Sequence, residues 1–194
     1  MNKLNDAINI CLMTIGERPL GAGDSITGHF EAELADVTLD EALTEVLSHG
    51  YQFNTDEDYP LMPDNTGVIE IPSLAIAVDA SQSSSDYIVR DGKLYDKTTQ
   101  KDNTFTDAIS VDILWNIPFD ELHPIVQSLV VATAKTKLYT RVVGVDNMYA
   151  ILKEEEEAAK TALLHEELQS GDYSIFDDTY VVRPMRRSQN PTAL

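Results

Sequence analysis

The sequence predicts an α+β fold: a four-helix bundle built from both ends of the chain, an inserted antiparallel β-domain, and an extended C-terminal tail. Three observations predict it. Apolar residues recur at helical spacing near both ends of the 194-residue chain. Between about residues 51 and 115 the period shortens toward two. Residues 171–194 carry no strong period at all. The implied units are 1–50 with 118–170 as the helical bundle, 51–117 as the β-domain, and 171–194 as the tail.

The first helix is read over 4–15, where Leu4, Ile8, Cys11, Leu12 and Ile15 share a face. Gly16 ends it and Pro19 prevents its resumption. A flexible loop, GAGDSITG, leads to a second helix over about 29–48. Its apolar residues Phe30, Leu34, Val37, Leu39, Leu43, Val46 and Leu47 drift around the axis, which predicts contacts with two partners. Gly50 stops it.

YQFN (51–54) reads as a short strand, and TDEDYPLMPDN (55–65), with its two prolines, as a loop. VIEI and LAIAVD read as extended segments on either side of Pro72. The clearest signal is a hairpin, with strands 86–90 and 93–97 joined at Asp91-Gly92. ISVDILW (109–115) alternates and makes a last strand. Pro118 and Pro124 suit helix starts. Helix 124–142 then buries Ile125, Val126, Leu129, Val130, Ala134 and Leu138, with Leu122 just ahead of it, and Gly144 breaks it. A long helix over 145–169 places Met148, Leu152, Ala159 and Leu163 on one side, and its KEEEE run reads as a solvated face.

Charge narrows the function classes. Fourteen Lys and Arg stand against 33 Asp and Glu, a formal net charge of −19. Such a surface repels polyanions, so duplex DNA and anionic membranes are poor candidates for tight ligands. The single cysteine, Cys11, forms no internal disulfide and reads as a small core residue. The N-terminal residues lack a long apolar run, and no stretch approaches a membrane span of ~20 residues, so a cytosolic or cytosol-assembled protein is expected.

No stretch carries a convincing catalytic or cofactor motif. In DGKLYDKTTQKDNTF (91–105), Gly92-Lys93 is followed by Leu94 and lacks the upstream glycine of a phosphate-binding loop. His29, His49, His123 and His165 have no zinc-ligand spacing. DEDYPLMPDNTG is acidic but puts Pro60 where a calcium loop needs a side-chain ligand. Catalytic, cofactor and metal sites are therefore all predicted to be none. Among 33 acidic residues some carboxylate pair is always available, so a polysaccharide hydrolase stays open as an alternative, as does an acidic DNA mimic.

Taken in order, LNDAINICLMTIGERPL, SHGYQFN, IEIPSLAIAVD, GKLYDKTTQKDNTF, PFDELHP, AKTKLYTRVVG and LKEEEEAAKTAL resemble the tail tubular protein A family of short-tailed bacteriophages. The likeness runs from about residue 4 to 178. It departs at Tyr51, where the family usually has Trp, and beyond about residue 180.

The resemblance implies a virion structural protein and no enzyme: a head-to-tail adaptor, or gatekeeper, forming a dodecameric ring. The implied partners are the portal ring above, a tubular protein B-type nozzle below, and tail fibres near the joint. Genome DNA would pass the lumen without tight binding. The implied location is the virion tail, after a stage in the host cytoplasm. On this reading the basic residues Lys93, Lys97, Lys101 and Arg141 are expected at contacts with neighbouring subunits or the portal. So are Tyr173, Phe176, Tyr180, Arg183, Arg186 and Arg187 of the tail, whose aromatic-plus-arginine composition is that of interface anchors.

Overall fold

The computed structural model of the chain describes residues 3–21, 23–79, 87–97 and 104–170. Helix α1 (Lys3–Thr14) and helix α2 (Phe30–Leu47) open the chain. Strands β1 (Thr55–Leu61), β2 (Ala75–Asp79), β3 (Tyr87–Arg90), β4 (Lys93–Asp96) and β5 (Ile109–Trp115) follow. Helices α3 (Pro124–Val142) and α4 (Asn147–Ser170) close it. The fold is α+β, with all strand pairing antiparallel. The expected tail over 171–194, and position 86 at the start of the expected hairpin strand, lie outside the described residues.

α3 organises the helices, packing against α1, α2 and α4. One core joins Ile8, Cys11 and Leu12 of α1 to Leu39 and Leu47 of α2, to Val126, Val130 and Leu138 of α3, and to Leu163 of α4. α2 meets two partners, α1 and α3, as expected, but partly through other residues than its large apolar ones. Ala32, Ala35, Thr38 and Ala42 are buried between the larger Leu39, Leu43, Val46 and Leu47, while Phe30 and Val37 lie 71% and 55% exposed. Small side chains let neighbouring helices approach closely on that face, a signal that a search for large apolar residues passes over. On α4, Leu152 and Leu163 are buried as expected, but Met148 is 38% exposed.

After α1, Gly16 turns the chain and Asn9 secures it. The Asn9 carbonyl oxygen accepts from the Leu20 N–H at 2.8 Å, and its amide donates to the Leu20 carbonyl at 3.4 Å. Asp146 starts α4 in a similar local way. Its Oδ1 accepts the Met148 and Tyr149 N–H groups, and its Oδ2 accepts the Tyr139 hydroxyl at 2.9 Å.

Two readings of the β block need correction. Residues 51–54 are no strand, because Gln52–Asn54 form a 3-10 turn. The Asn54 carbonyl oxygen accepts from the Tyr51 N–H at 2.9 Å, and its amide donates to the Leu47 carbonyl (2.9 Å) and the Trp115 carbonyl (3.0 Å). One buried side chain thus ties the end of α2 to the end of β5. Residues 55–61 are also no loop, since β1 pairs with β5 along the edge of a sheet ordered β1-β5-β2. Pro60 is compatible there because an edge strand leaves one side without a ladder bond to donate. The pairing slips between Asp56 and Tyr59, where Asp58 takes φ 55° and its N–H donates to Asp112 Oδ1 at 3.1 Å.

The hairpin β3–β4 turns at Asp91-Gly92 as expected, with φ of 50° and 70°, the left-handed pair that a two-residue turn requires. Segment 68–71 lies against it. Ile71 donates to the Gly92 carbonyl and Leu94 to the Ile69 carbonyl, though the only bridge formed there is Glu70 to Lys93. Gly67 also takes a positive φ, 83°, and in addition a Cβ there would sit 3.1 Å from the Phe105 carbonyl oxygen. The β block has its own small core, Leu61, Ile69, Leu94, Val111 and Ile113.

Candidate functional site

The basic residues singled out in the sequence divide into two groups. On α3, Lys137 pairs with Glu45 and Arg141 with Glu41, so that an i,i+4 pair on α3 faces an i,i+4 pair on antiparallel α2. Arg141 also donates to the Thr38 hydroxyl at 3.0 Å. Lys135 reaches across to Glu155 of α4. The Arg141 charge is therefore engaged within its own chain. The guanidinium, through its hydrogen bond, holds the Glu41 carboxyl below its ordinary range. Such ladders set how the helices lie against one another more than they add stability.

In the β block, Lys93 is exposed at the start of β4, and Lys97 is exposed just after its end. The Arg90 guanidinium stacks 4.5 Å from the centre of the Tyr95 ring. Asp64 organises the neighbouring loop, its Oδ1 accepting from the Thr66 N–H, the Thr66 hydroxyl and the Val68 N–H at 2.7–2.9 Å. These bonds hold the carboxyl below its ordinary value, and the Lys93 charge adds to the effect. Lys101, Tyr173, Phe176, Tyr180, Arg183, Arg186 and Arg187 lie outside the described residues.

Among the described residues, no three His, Cys, Asp or Glu side chains converge as metal ligands would. No helix there is long and apolar enough to cross a membrane. Cys11 is fully buried, and burial pushes its thiol up to about 12, so it stays protonated and poorly nucleophilic near neutral pH.

The sequence reading passed over a different surface, the turn between α3 and α4. Val142, Val143, Val145, Met148 and Ile151 are all 38–73% exposed within one short stretch of chain. On an acidic chain of net charge −19, this concentration of apolar side chains is the candidate interaction surface among the described residues. Val142 and Val143 fall at the end of the α3 pattern and Val145 in the turn, so periodicity gives them no face. Their number in ten residues was the available signal. A second pair, Leu164 and Leu168, lies one turn apart on the outer side of α4.

Comparison with known proteins supplies the family. A family model described as tail tubular protein matches residues 5–173. The chain is also similar to tail tubular protein A of Klebsiella phage KP34. The two are 31% identical over 184 residues, which cover 95% of this chain and 96% of that protein.

Proposed function

Because the chain belongs to the tail tubular protein family and is a structural component of a phage tail, we propose that it acts as a head-to-tail adaptor. In this reading it forms a dodecameric ring between portal and nozzle, with tail fibres attaching near the joint and the genome passing through the lumen. The observation that carries the reading is the apolar cluster at the α3–α4 turn, where Val145 is 73% exposed. An isolated soluble subunit gains nothing from such a cluster, whereas an assembled one buries it against a neighbour.

The proposed division of labour follows the three units. The helical unit (1–50 and 118–170) supplies the ring body. The β unit (51–117), with exposed Lys93 and Lys97 on its hairpin, supplies contacts to an acidic neighbour. Tyr173 and Phe176, in the residues that follow α4, supply a further anchor. The net charge of −19 fits a lumen that DNA slides past, because a basic lumen would hold DNA through counterion release.

The test is a paired substitution, Val145→Asp with Met148→Asp. Both side chains are exposed, so the subunit should keep its melting temperature. Incorporation into portal-bound rings should be lost. Normal incorporation with an unchanged melting temperature would overturn the proposal.

A further inference from the structure

A groove of about 400 Å³ opens where α2 meets the linker between β5 and α3. Its walls are mostly apolar, from Leu4, Val37, Leu43, Leu74 and Phe119, with Val37 and Leu74 still 55% and 49% exposed. Asp36 and Asp40, one turn apart on α2, stand along the same wall. No cation among the described residues pairs with either. Burial, and then the charge of Asp40, push the Asp36 carboxyl above its ordinary range. Asn116 also lines the groove, and its Oδ1 is buried without a hydrogen-bond donor. An apolar trough with two uncompensated carboxylates and an orphan acceptor suits a peptide carrying apolar side chains, cations and backbone N–H donors.

The chain itself contains one. Residues 179–194 hold Tyr180, Val181, Val182 and three arginines but no acidic residue, in a chain whose net charge is −19. α4, which leads toward this segment, ends close to the groove. Near the end of α4, Glu167 accepts the Gln52 N–H at 3.1 Å, and Glu166 lies 4.0 Å from His123. His123 is itself four residues from Phe119 in the groove wall. The intervening residues 171–179 can span roughly 30 Å when extended. Tethering at that range raises the local concentration of the segment to about the millimolar level.

We propose that this groove is the docking site of the chain's own C-terminal segment. Tyr180, Val181 and Val182 lie on the apolar wall, and Arg183, Arg186 and Arg187 face Asp36 and Asp40. The docking belongs to the single subunit and does not depend on the ring.

The test uses the full chain with a nitroxide attached at Ser188→Cys. Cys11 is buried and stays unlabelled. Methyl signals of Val37, Leu43 and Leu74 should lose intensity, while those of Leu94 and Val111 in the β core keep theirs. Adding Arg186→Glu and Arg187→Glu, which leave the described fold untouched, should restore the groove signals. Three outcomes would overturn the proposal: no selective loss, loss that survives the charge reversal, or the same loss when nitroxide-labelled chains are mixed with separate, unlabelled isotope-enriched ones. The last would make a second copy the source of the segment. A subunit that docks its segment but forms no ring would sink the adaptor reading and leave this one standing.

Discussion

The helical part and the β part of this protein hold themselves together by different means. The helices share one large core around α3, and their register is set by charges, with Lys137 and Arg141 of α3 facing Glu45 and Glu41 of α2. The β part has a core of five buried residues and relies on hydrogen bonding: the ladders of β5 with β1 and β2, the bulge where Asp58 meets Asp112, the Asp64 turn and the hairpin turn. One region is held mainly by side-chain packing in a large core, the other by a small core and strand-to-strand hydrogen bonds. Asn54 joins them, bonding at once to the end of α2 and the end of β5.

The sharpest way to break this comparison is to hollow out each core in turn. Leu138 is fully buried in the helical core, and Leu138→Ala should cost about 2–5 kcal/mol. It should lower the main far-UV melting transition. Ile113→Ala, also at full burial, should instead act first on the β part, read by fluorescence of the single tryptophan, Trp115. Equal shifts of both signals in both variants would mean that the two regions melt as one unit.

Asn54→Ala comes next. It leaves the Tyr51 N–H and the Leu47 and Trp115 carbonyls without their partner. The cost should be about 2–4 kcal/mol, and the Trp115 and far-UV transitions should separate. A Leu substitution at Asn54 that left both transitions coincident would show that the joint lies elsewhere.

Smaller effects distinguish the two kinds of electrostatics. The Glu41 and Asp64 carboxyls are both held below their ordinary values of 4.5 and 3.8. The stability each contributes is fully present above its ordinary value, and is lost as pH falls through the lowered, folded-state one. Glu41→Gln and Asp64→Asn should therefore each flatten the acid limb of the stability–pH curve. Salt should tell them apart. Glu41 depends on the exposed Arg141 and should lose its effect at 1 M salt, whereas Asp64 depends mainly on Thr66 and Val68 and should keep it. Equal salt sensitivity in melting scans would contradict that division.

The same contrast explains what could be read from the sequence. α3 was predicted at its observed bounds, because its apolar residues keep a single period over nineteen residues and Pro124 marks its first turn. β5 and the Asp91-Gly92 hairpin were equally legible, one by alternation and the other by turn chemistry. β1 was not, because Asp56, Glu57, Asp58 and Pro60 look like a loop until an edge position and a bulge make room for them. Asn54 reads as an ordinary polar residue, and nothing local announces that its amide will reach Trp115, 61 positions away.

Surfaces were harder still. The basic residues of α3 were visible, but their acidic partners on α2 come from the far end of the chain. The cluster at the α3–α4 turn was passed over because apolar residues at a helix end suggest core before surface.

The central claim is that this chain completes a ring on the portal. It is tested most directly by measuring the mass of the purified full chain, alone and mixed with portal rings of the same virus. The account predicts a small free chain and a portal ring that gains about twelve chain masses, since binding to a preformed template shifts the assembly equilibrium. A portal ring of unchanged mass, with the chain small in every mixture, would contradict it.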